Sequence, residues 1–138
     1  MRIKTIIIAA MMATTMNAQG VIDVHSHIIT PEFVVRIAEI EVHPQYLDEY
    51  LAAAKEIQQQ SLAEEPGVLC LFPAQLKEDS TQIRILEIYA SQEAYQYHIQ
   101  TAHFQRYKQG TLHMVKSLKL QDLLPLNQES MRQIFKRQ

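Results

Sequence analysis

The segment QIRILEIYA, residues 82–90, constrains the fold more than any other, because its alternation leaves apolar groups on both faces of a strand. Successive side chains of a strand point to opposite sides of the sheet. The odd-numbered positions, which share one face, are Ile83, Ile85, Glu87 and Tyr89. The even-numbered positions on the other face include Arg84, Leu86 and Ile88. Helices cover only one face, so the second face predicts contact with another sheet, which in a chain of 138 residues means a second copy.

The remaining segments predict an α+β fold. Runs of β-branched and apolar residues between turn signals indicate strands, and apolar positions three and four apart behind a capping residue indicate helices. In chain order, the predicted elements are a strand at 33–42, a helix from Tyr46 to the stop at Glu65-Pro66-Gly67, a strand at 68–76, a polar turn at 77–80, a strand at 82–90, a helix from Ser91 to about Gln100, a second helical piece from Thr101 towards Val115, and a strand at 117–126. This order is a split βαβ plan, an antiparallel sheet with helices on one face.

Two local features refine this plan. Pro73 lacks a backbone N–H, so the strand at 68–76 is predicted to lie at a sheet edge or to contain a bulge. The first helix is amphipathic, and its predicted buried positions are Leu47, Tyr50, Leu51, Ala54, Ile57 and Leu62. The C-terminal tail at 127–138 fits either a short amphipathic helix or a frayed end.

Composition excludes several classes of protein. Apolar residues make up 47% of the chain and charged residues 20%, which is enough to form a core in a single domain. The formal net charge is −2 and no dense Lys/Arg cluster is present, so nucleic-acid binding is not predicted. Cys70 is the single cysteine, which excludes an internal disulfide.

The first nineteen residues predict a secretory signal peptide. Arg2 and Lys4 precede an uncharged run at 5–16, which leads into small and polar residues with a predicted cleavage site near Ala18 or Gln19. The run is shorter than the ~20 apolar residues that a membrane-spanning helix needs. We therefore expect an exported protein, periplasmic or extracellular, that has no membrane contact after cleavage.

The stretch VIDVHSHIIT, residues 21–30, raises the alternative of a metal-dependent hydrolase. It resembles the first strand of amidohydrolases, with His25 and His27 on one face and Asp23 two residues before. Such enzymes need a barrel of ~250 residues, and zinc sites need ~3 protein ligands. The chain offers neither, so residues 20–32 are predicted to be an N-terminal extension and no metal site is expected.

From about Val35 to Leu126 the chain resembles the antibiotic biosynthesis monooxygenase (ABM) family. The segments that carry the resemblance are EEPGVLCLF and ILEIYASQEAYQYHIQTAHFQRY. The resemblance implies a ferredoxin-like domain at 33–126, followed by the tail, and a homodimeric α/β barrel. It also implies a small-molecule substrate, because the family includes quinol monooxygenases and a related isomerase that degrades a small hydroxyketone-type signal molecule.

The candidate catalytic residues are Glu87, His98 and His103, where the strand at 82–90 meets the broken helix. A helix break at Thr101 could direct both imidazoles into one space, although their five-residue separation does not suit one continuous helical face. In this prediction an imidazole acts as the base, Glu87 orients it, and phenols hold the developing oxyanion. The predicted substrate-binding residues are Tyr89, Phe104 and Tyr107.

Each of these residues also has a purely structural interpretation, because buried carboxylates and histidines are usually satisfied by hydrogen bonds. Two functions follow from the same pocket: a cofactor-independent monooxygenase or an isomerase acting on a quinol-like or enolisable molecule, and a non-catalytic dimeric binding module. The sequence contains no dinucleotide fingerprint, P-loop or metal-ligand cluster, so no cofactor is expected.

Overall fold

The structure, a computed structural model, describes residues 32–136, with side chains as far as Ile134. The predicted signal peptide and the extension that contains His25 and His27 lie outside the described residues and remain predictions. In chain order the elements are β1 (Val34–Val42), α1 (Leu47–Glu64), β2 (Val68–Leu76), β3 (Asp79–Tyr89), α2 (Gln92–Gln100), α3 (Ala102–Thr111), β4 (Val115–Leu123) and α4 (Met131–Lys136), with short 3₁₀ turns at Pro44–Tyr46, Leu112–Met114 and Gln128–Ser130.

The four strands form one antiparallel sheet in the order β2-β3-β1-β4. This is the predicted ferredoxin-like, split βαβ arrangement of the α+β class, with the first and third strands in the centre. β2 lies at an edge of the sheet, where the backbone N–H that Pro73 lacks is least needed. An edge position is one of the two alternatives, edge or bulge, that Pro73 predicted. The register places Arg36 of β1 opposite both Glu87 of β3 and Asp122 of β4.

The hydrophobic core lies between the sheet and the helices. β1 alternates strictly between buried and half-buried residues, and the odd-numbered face of β3 points into the same core through Ile83, Ile85 and Tyr89. Burying an aliphatic side chain of this size contributes about 1.5–3 kcal/mol. The odd-numbered face of β3 is therefore the one that the helices cover.

The core-facing stripe of α1 differs from the prediction at its end. The buried residues are Tyr50, Ala54, Ile57 and Ser61, whereas Leu62 is 44% exposed. A period of 3.6 residues that begins at Tyr50 reaches position 61 rather than 62. Because Ser61 is polar, the hydrophobic pattern did not indicate that this residue is buried.

Two element boundaries also differ. The turn after β2 contains only Lys77 and Glu78, because the polar residues from Asp79 onward already pair as strand at the exposed tip of the hairpin. α3 ends at Thr111, and Val115 begins β4 instead of extending the helix. Polar residues at the exposed tip of the hairpin carry no hydrophobic alternation, so the sequence pattern placed the start of β3 too late.

The opposite face of the sheet, which we call the uncovered face, exposes apolar side chains. Phe72 is 60% exposed, Leu123 is 40% exposed and Leu86 is 37% exposed. Cys70 and Phe72 of β2 pair with Ile88 and Leu86 of β3, so these side chains share that face. No helix in the described part of the chain is long and apolar enough to cross a bilayer.

The close contact between Gly67, the residue before β2, and Ala94 of α2 yields a stability prediction. A Cβ added at Gly67 would lie 2.6 Å from the Cβ of Ala94, a distance that real contacts do not show. Gly67→Ala should therefore push α2 away from the sheet and lower the free energy of unfolding by about 1–3 kcal/mol, as overpacking does elsewhere. Chemical denaturation followed by circular dichroism measures the change.

Gly110→Ala is the matched control, because a Cβ at that position of α3 meets nothing within 4 Å. Alanine is favoured over glycine in a helix by about 0.5–1 kcal/mol, so this variant should be neutral or stabilised. Equal losses in the two variants would contradict the proposed contact.

Candidate functional site

The break between α2 and α3 places both candidate histidines. Ser91 caps α2 by accepting a hydrogen bond from the Ala94 N–H at 3.1 Å, and Thr101 caps α3 by accepting from the Phe104 N–H at 3.2 Å. The Thr101 hydroxyl also donates to the carbonyl of His98, at 2.7 Å. On one continuous helix, residues five apart point about 140° away from each other. The break at Thr101 removes that divergence.

His98 and His103 converge on the carboxylate of Glu65, the residue directly after α1. Oε2 of Glu65 lies 2.9 Å from Nδ1 of His98 and 2.5 Å from Nε2 of His103. Glu65, His98 and His103 are 3%, 2% and 7% exposed. Oε1 of Glu65 is buried and has no hydrogen-bond partner among the residues that the structure describes. We call these three residues the Glu65 cluster.

The hydrogen bonds fix the protonation of His98. An ionised carboxylate only accepts hydrogen bonds, so Nδ1 of His98 carries the proton and Nε2, on the far side of the ring, keeps its lone pair. Burial lowers the pKa of His98, although the hydrogen bond to Glu65 acts in the opposite direction. His98 is therefore a neutral imidazole with a fixed tautomer at neutral pH, which is the form a general base needs.

The donor atoms of the Glu65 cluster are of the type that binds zinc, and they lie within 4.8 Å of one another. Ligands of one tetrahedral zinc ion, each about 2.0–2.1 Å from it, are separated by about 3.3 Å. The distances of 2.5 and 2.9 Å to Glu65 Oε2 are those of hydrogen bonds. We therefore interpret the cluster as a hydrogen-bonded unit.

A cavity of about 120 Å³ lies between the helices and the sheet, next to His98. Apolar residues from β1, β3, β4 and α1 form most of its walls. The polar residues that line it are Arg36, Tyr50, Glu87, Tyr89, Tyr95, His98, Tyr107, Lys108 and Thr111. A largely apolar cavity with a few convergent polar groups is typical of small-molecule sites.

Arg36 supplies a fixed positive charge at this cavity. Its side chain is buried, its Nε donates to Oδ1 of Asp122 at 2.8 Å, and its guanidinium lies 4.5 Å from the ring centroid of Tyr95. Burial alone would lower the pKa of Arg36, but Tyr95 and Asp122 outweigh it and raise that pKa. The guanidinium therefore stays charged beside the cavity.

Glu87 lies among phenols, not imidazoles. The Tyr89 hydroxyl donates to Oε1 of Glu87 at 2.7 Å, and the hydroxyls of Tyr50 and Tyr107 share a hydrogen bond of 2.6 Å. Burial raises the pKa of Glu87, although Tyr89 and Arg36 act in the opposite direction. Burial likewise raises the pKa of Tyr107 to about 12, so this phenol remains a hydrogen-bond donor at neutral pH.

The structure brings most of the predicted site residues together. His98, Glu87, Tyr89, Phe104 and Tyr107 all line the cavity. His103 lies behind His98 instead and lines a separate groove of about 190 Å³ between α1 and α3.

The carboxylate that holds the imidazoles is Glu65, whereas Glu87 was predicted for that task. Sequence reasoning did not single out Glu65 or Arg36. Arg36 did leave a signal, because it occupies an inward-facing position of an alternating strand, where a charge needs a partner. Glu65 lies in the segment EEPG, but nothing local distinguishes it from its exposed neighbour Glu64.

Comparison with known proteins agrees with this architecture. A family model described as antibiotic biosynthesis monooxygenase matches residues 33–110, which is more than half of the chain. A solved structure from Bacteroides thetaiotaomicron, named for the same family, is 46% identical over 70% of this chain and 91% of its own, with a TM-score of 0.68.

Two further structures share the fold. A protein from Lactobacillus acidophilus, named as a monooxygenase, is 29% identical over 69% of this chain and 45% of its own longer chain, with a TM-score of 0.66. One from Nitrosomonas europaea is 20% identical over 72% of this chain and 96% of its own, with a TM-score of 0.66. A search of curated proteins gave no match.

The sheet, the broken helix and the cavity between them define a small ferredoxin-like protein with a buried polar site. The family match makes the assignment specific: the chain belongs to the antibiotic biosynthesis monooxygenase family. The match begins at residue 33, and nothing supports the amidohydrolase likeness of residues 21–32.

The raised pKa of Glu87 predicts a pH-dependent stability. Below the ordinary value of 4.5, the carboxyl is protonated in both the folded and the unfolded chain and has no effect. As the pH rises from 4.5 towards the raised native pKa, the unfolded chain ionises and the folded chain resists, so stability is lost until the native carboxyl also ionises. Glu87→Gln removes this loss and keeps an acceptor for Tyr89, so its advantage over the wild type should grow as the pH rises above 4.5 and then level off.

Denaturant midpoints measured at several pH values check this prediction. Glu56→Gln, on the exposed side of α1, is the control and should follow the wild type across the whole series. A constant difference between Glu87→Gln and the wild type would mean that the Glu87 carboxyl does not titrate differently in the folded chain.

Proposed function

We propose that the protein is a cofactor-independent monooxygenase that oxidises a small quinol-like or enolisable molecule in this cavity. The observation that carries the proposal is a neutral imidazole, held by a buried carboxylate, in the wall of a mostly apolar cavity. An engineered apolar cavity of about 150 Å³ holds benzene, so about 120 Å³ suits a single ring or a short open chain.

His98 is the proposed base. Glu65 holds Nδ1 and leaves Nε2 to accept a proton from a substrate hydroxyl or α-carbon. A carboxylate that orients an imidazole and stabilises the imidazolium performs the same task as the aspartate of a catalytic triad. Glu65 is thus a positioning residue, and His98 is the catalytic one.

Arg36 and Tyr107 are the proposed stabilisers of the substrate anion. The guanidinium of Arg36 is charged and fixed, and the Tyr107 hydroxyl can donate into the cavity when Tyr50 donates to Tyr107. Tyr89 is less suited, because its proton is already engaged by Glu87. Donors that are fixed in advance, in a cavity of low polarity, stabilise a phenolate or enolate more than water does.

The substrate supplies the electrons for oxygen. The deprotonated quinol gives one electron to O₂, and the resulting radical pair forms a bond between a ring carbon and oxygen. His98 returns its proton to this peroxide. The O–O bond then breaks: the outer oxygen leaves as water with the hydrogen of the oxygenated ring carbon, and the inner oxygen becomes a carbonyl. The sum is C₆H₆O₂ + O₂ → C₆H₄O₃ + H₂O for the parent quinol, and no external reductant is needed.

We also propose a homodimer formed through the uncovered face. Phe72, Leu86 and Leu123 expose apolar area on one side of the sheet, where a second sheet could cover them. The alternation of β3 supports the same arrangement, because both faces of that strand carry apolar residues. Two sheets packed in this way would form the α/β barrel that the resemblance implies.

Removing the proposed base should abolish turnover. With benzene-1,4-diol as the probe, we expect O₂ uptake, hydroxyquinone as the product and little hydrogen peroxide. His98→Ala should lower the rate about 10²- to 10⁴-fold, the usual contribution of a general base. An oxygen electrode and mass spectrometry with labelled O₂ provide the measurement.

His113→Ala is the control, because this exposed histidine lies after α3, on a 3₁₀ turn, and should not affect the rate. Proton exchange of an enolisable hydroxyketone without O₂ uptake would favour the isomerase. Saturable binding without turnover of either compound would favour the binding module and contradict the enzyme.

The dimer yields a separate prediction. Phe72→Lys places a charge on the uncovered face and should convert a dimer into a monomer, because burying an unpaired charge between two sheets is costly. Leu62→Lys, at a similarly exposed apolar position on α1, should leave the dimer intact. Light scattering after gel filtration distinguishes the two, and a monomeric wild type would contradict the interface.

A further inference from the structure

The two imidazoles of the Glu65 cluster face different spaces. His98 lines the cavity, whereas His103 lines the outer groove, which we define by Gln60 of α1 together with His103 and Arg106 of α3. A single carboxylate oxygen of Glu65 joins them. The cluster therefore spans the wall between the substrate cavity and the outer surface.

The outer end of the cluster reaches solvent through Glu64. Nδ1 of His103 lies 3.9 Å from Oε1 of Glu64, and the Glu64 side chain is 58% exposed. The opposite ring nitrogen, Nε2, is the one bonded to Glu65. His103 thus has one nitrogen on the buried carboxylate and the other beside an exposed one.

The cluster has room for one imidazolium at a time. A buried net charge is costly, and the single negative charge of Glu65 can neutralise only one positive imidazole. In the exchange proposed below, His103 is that imidazole at rest, because it lies between two carboxylates whereas His98 bonds to one. His98 then stays neutral, which agrees with its lowered pKa.

We propose that the Glu65 cluster exchanges protons across the cavity wall: when His98 accepts a proton from the substrate, His103 releases one to solvent beside Glu64. This inference rests on the proposed function for the identity of the proton donor in the cavity. It adds His103 and Glu64 to the site as the outlet for that proton.

The proton balance closes without moving any hydrogen bond of the cluster. Nε2 of His98 gains a proton, so the ring becomes an imidazolium that still donates from Nδ1 to Glu65. Nδ1 of His103 loses its proton to water through Glu64, so that ring becomes neutral and still donates from Nε2. One proton enters and one leaves, and the buried cluster has no net charge before or after.

Other charged groups face each end of the cluster. The outer groove also contains Glu56, Arg106 and the Tyr107 phenol. Towards the cavity, His98 faces titratable side chains from five elements. These are Arg36 of β1, Tyr50 of α1, Glu87 and Tyr89 of β3, Tyr95 of α2, and Tyr107 and Lys108 of α3.

Nitrogen NMR of ¹⁵N-histidine protein tests the resting state without any activity. At neutral pH we expect His103 to be doubly protonated and His98 to be neutral with its proton on Nδ1. Glu65→Gln should leave both rings neutral. The decisive variant is His103→Gln, which frees the charge of Glu65 and should convert His98 into the imidazolium. A purely structural cluster predicts that His98 stays neutral in that variant.

Proton counting with para-nitrophenol tests the exchange itself. Its colour reports whether the bound phenol has given up its proton, and an indicator in weakly buffered solution reports protons released by the protein. At a pH low enough that free nitrophenol is still protonated, we expect about one proton released per nitrophenol that ionises on binding to the wild type. In His103→Gln, where His98 is already charged, we expect neither ionisation nor release. Glu64→Gln should fold normally, because the side chain is exposed, and should slow the release.

The outcomes separate the two proposals. A nitrophenol that fails to bind, or that binds without ionising, contradicts His98 as the cavity base, and the NMR result then decides the charge assignment by itself. Ionisation of the bound phenol without proton release supports the base and overturns the exchange. Two neutral rings, or two charged rings, in the wild type would also overturn it.

Discussion

The carboxylate of Glu65, buried between two imidazoles, is the interaction on which the rest of the structure depends. It joins the end of α1 to α2 and α3, and so holds these three helices around one oxygen atom. Truncating one member of a buried charged set typically costs several kcal/mol, because its partners stay buried and unpaired. The same bond that orders the helices also orients His98 towards the cavity, so structure and site depend on the same atoms.

The charged and polar groups that line the cavity are held in place by the protein before any molecule binds. One guanidinium is held between two carboxylates by the strand register, and the phenols around Glu87 retain their protons at neutral pH. An anion formed from a bound molecule would meet a positive charge and hydrogen-bond donors that need little rearrangement. This favours chemistry that starts with loss of a proton, which is shared by oxygenation of a quinol and by isomerisation of an enolisable ketone.

The sequence predicted the element order, an edge position or a bulge for β2, and both helix caps, because hydrophobic period and capping chemistry are local signals. It also selected five residues of the cavity wall, which are Glu87, Tyr89, His98, Phe104 and Tyr107. It could not identify the partner of the imidazoles, since Glu65 is more than thirty residues from His98 in the chain. Long-range pairing of this kind depends on how helices pack on the sheet, which no local pattern records.

The junction at Thr101 sets a strict limit on chain length. α2 ends at Gln100 and α3 begins at Ala102, so a single residue separates the two helices. Adding or deleting one residue there would rotate the side chains of the following helix by about 100° and turn His103 away from Glu65. The two-residue hairpin at Lys77 and Glu78 is far from any such constraint. Natural insertions should therefore occur at that turn, and the five-residue separation of His98 and His103 should not vary.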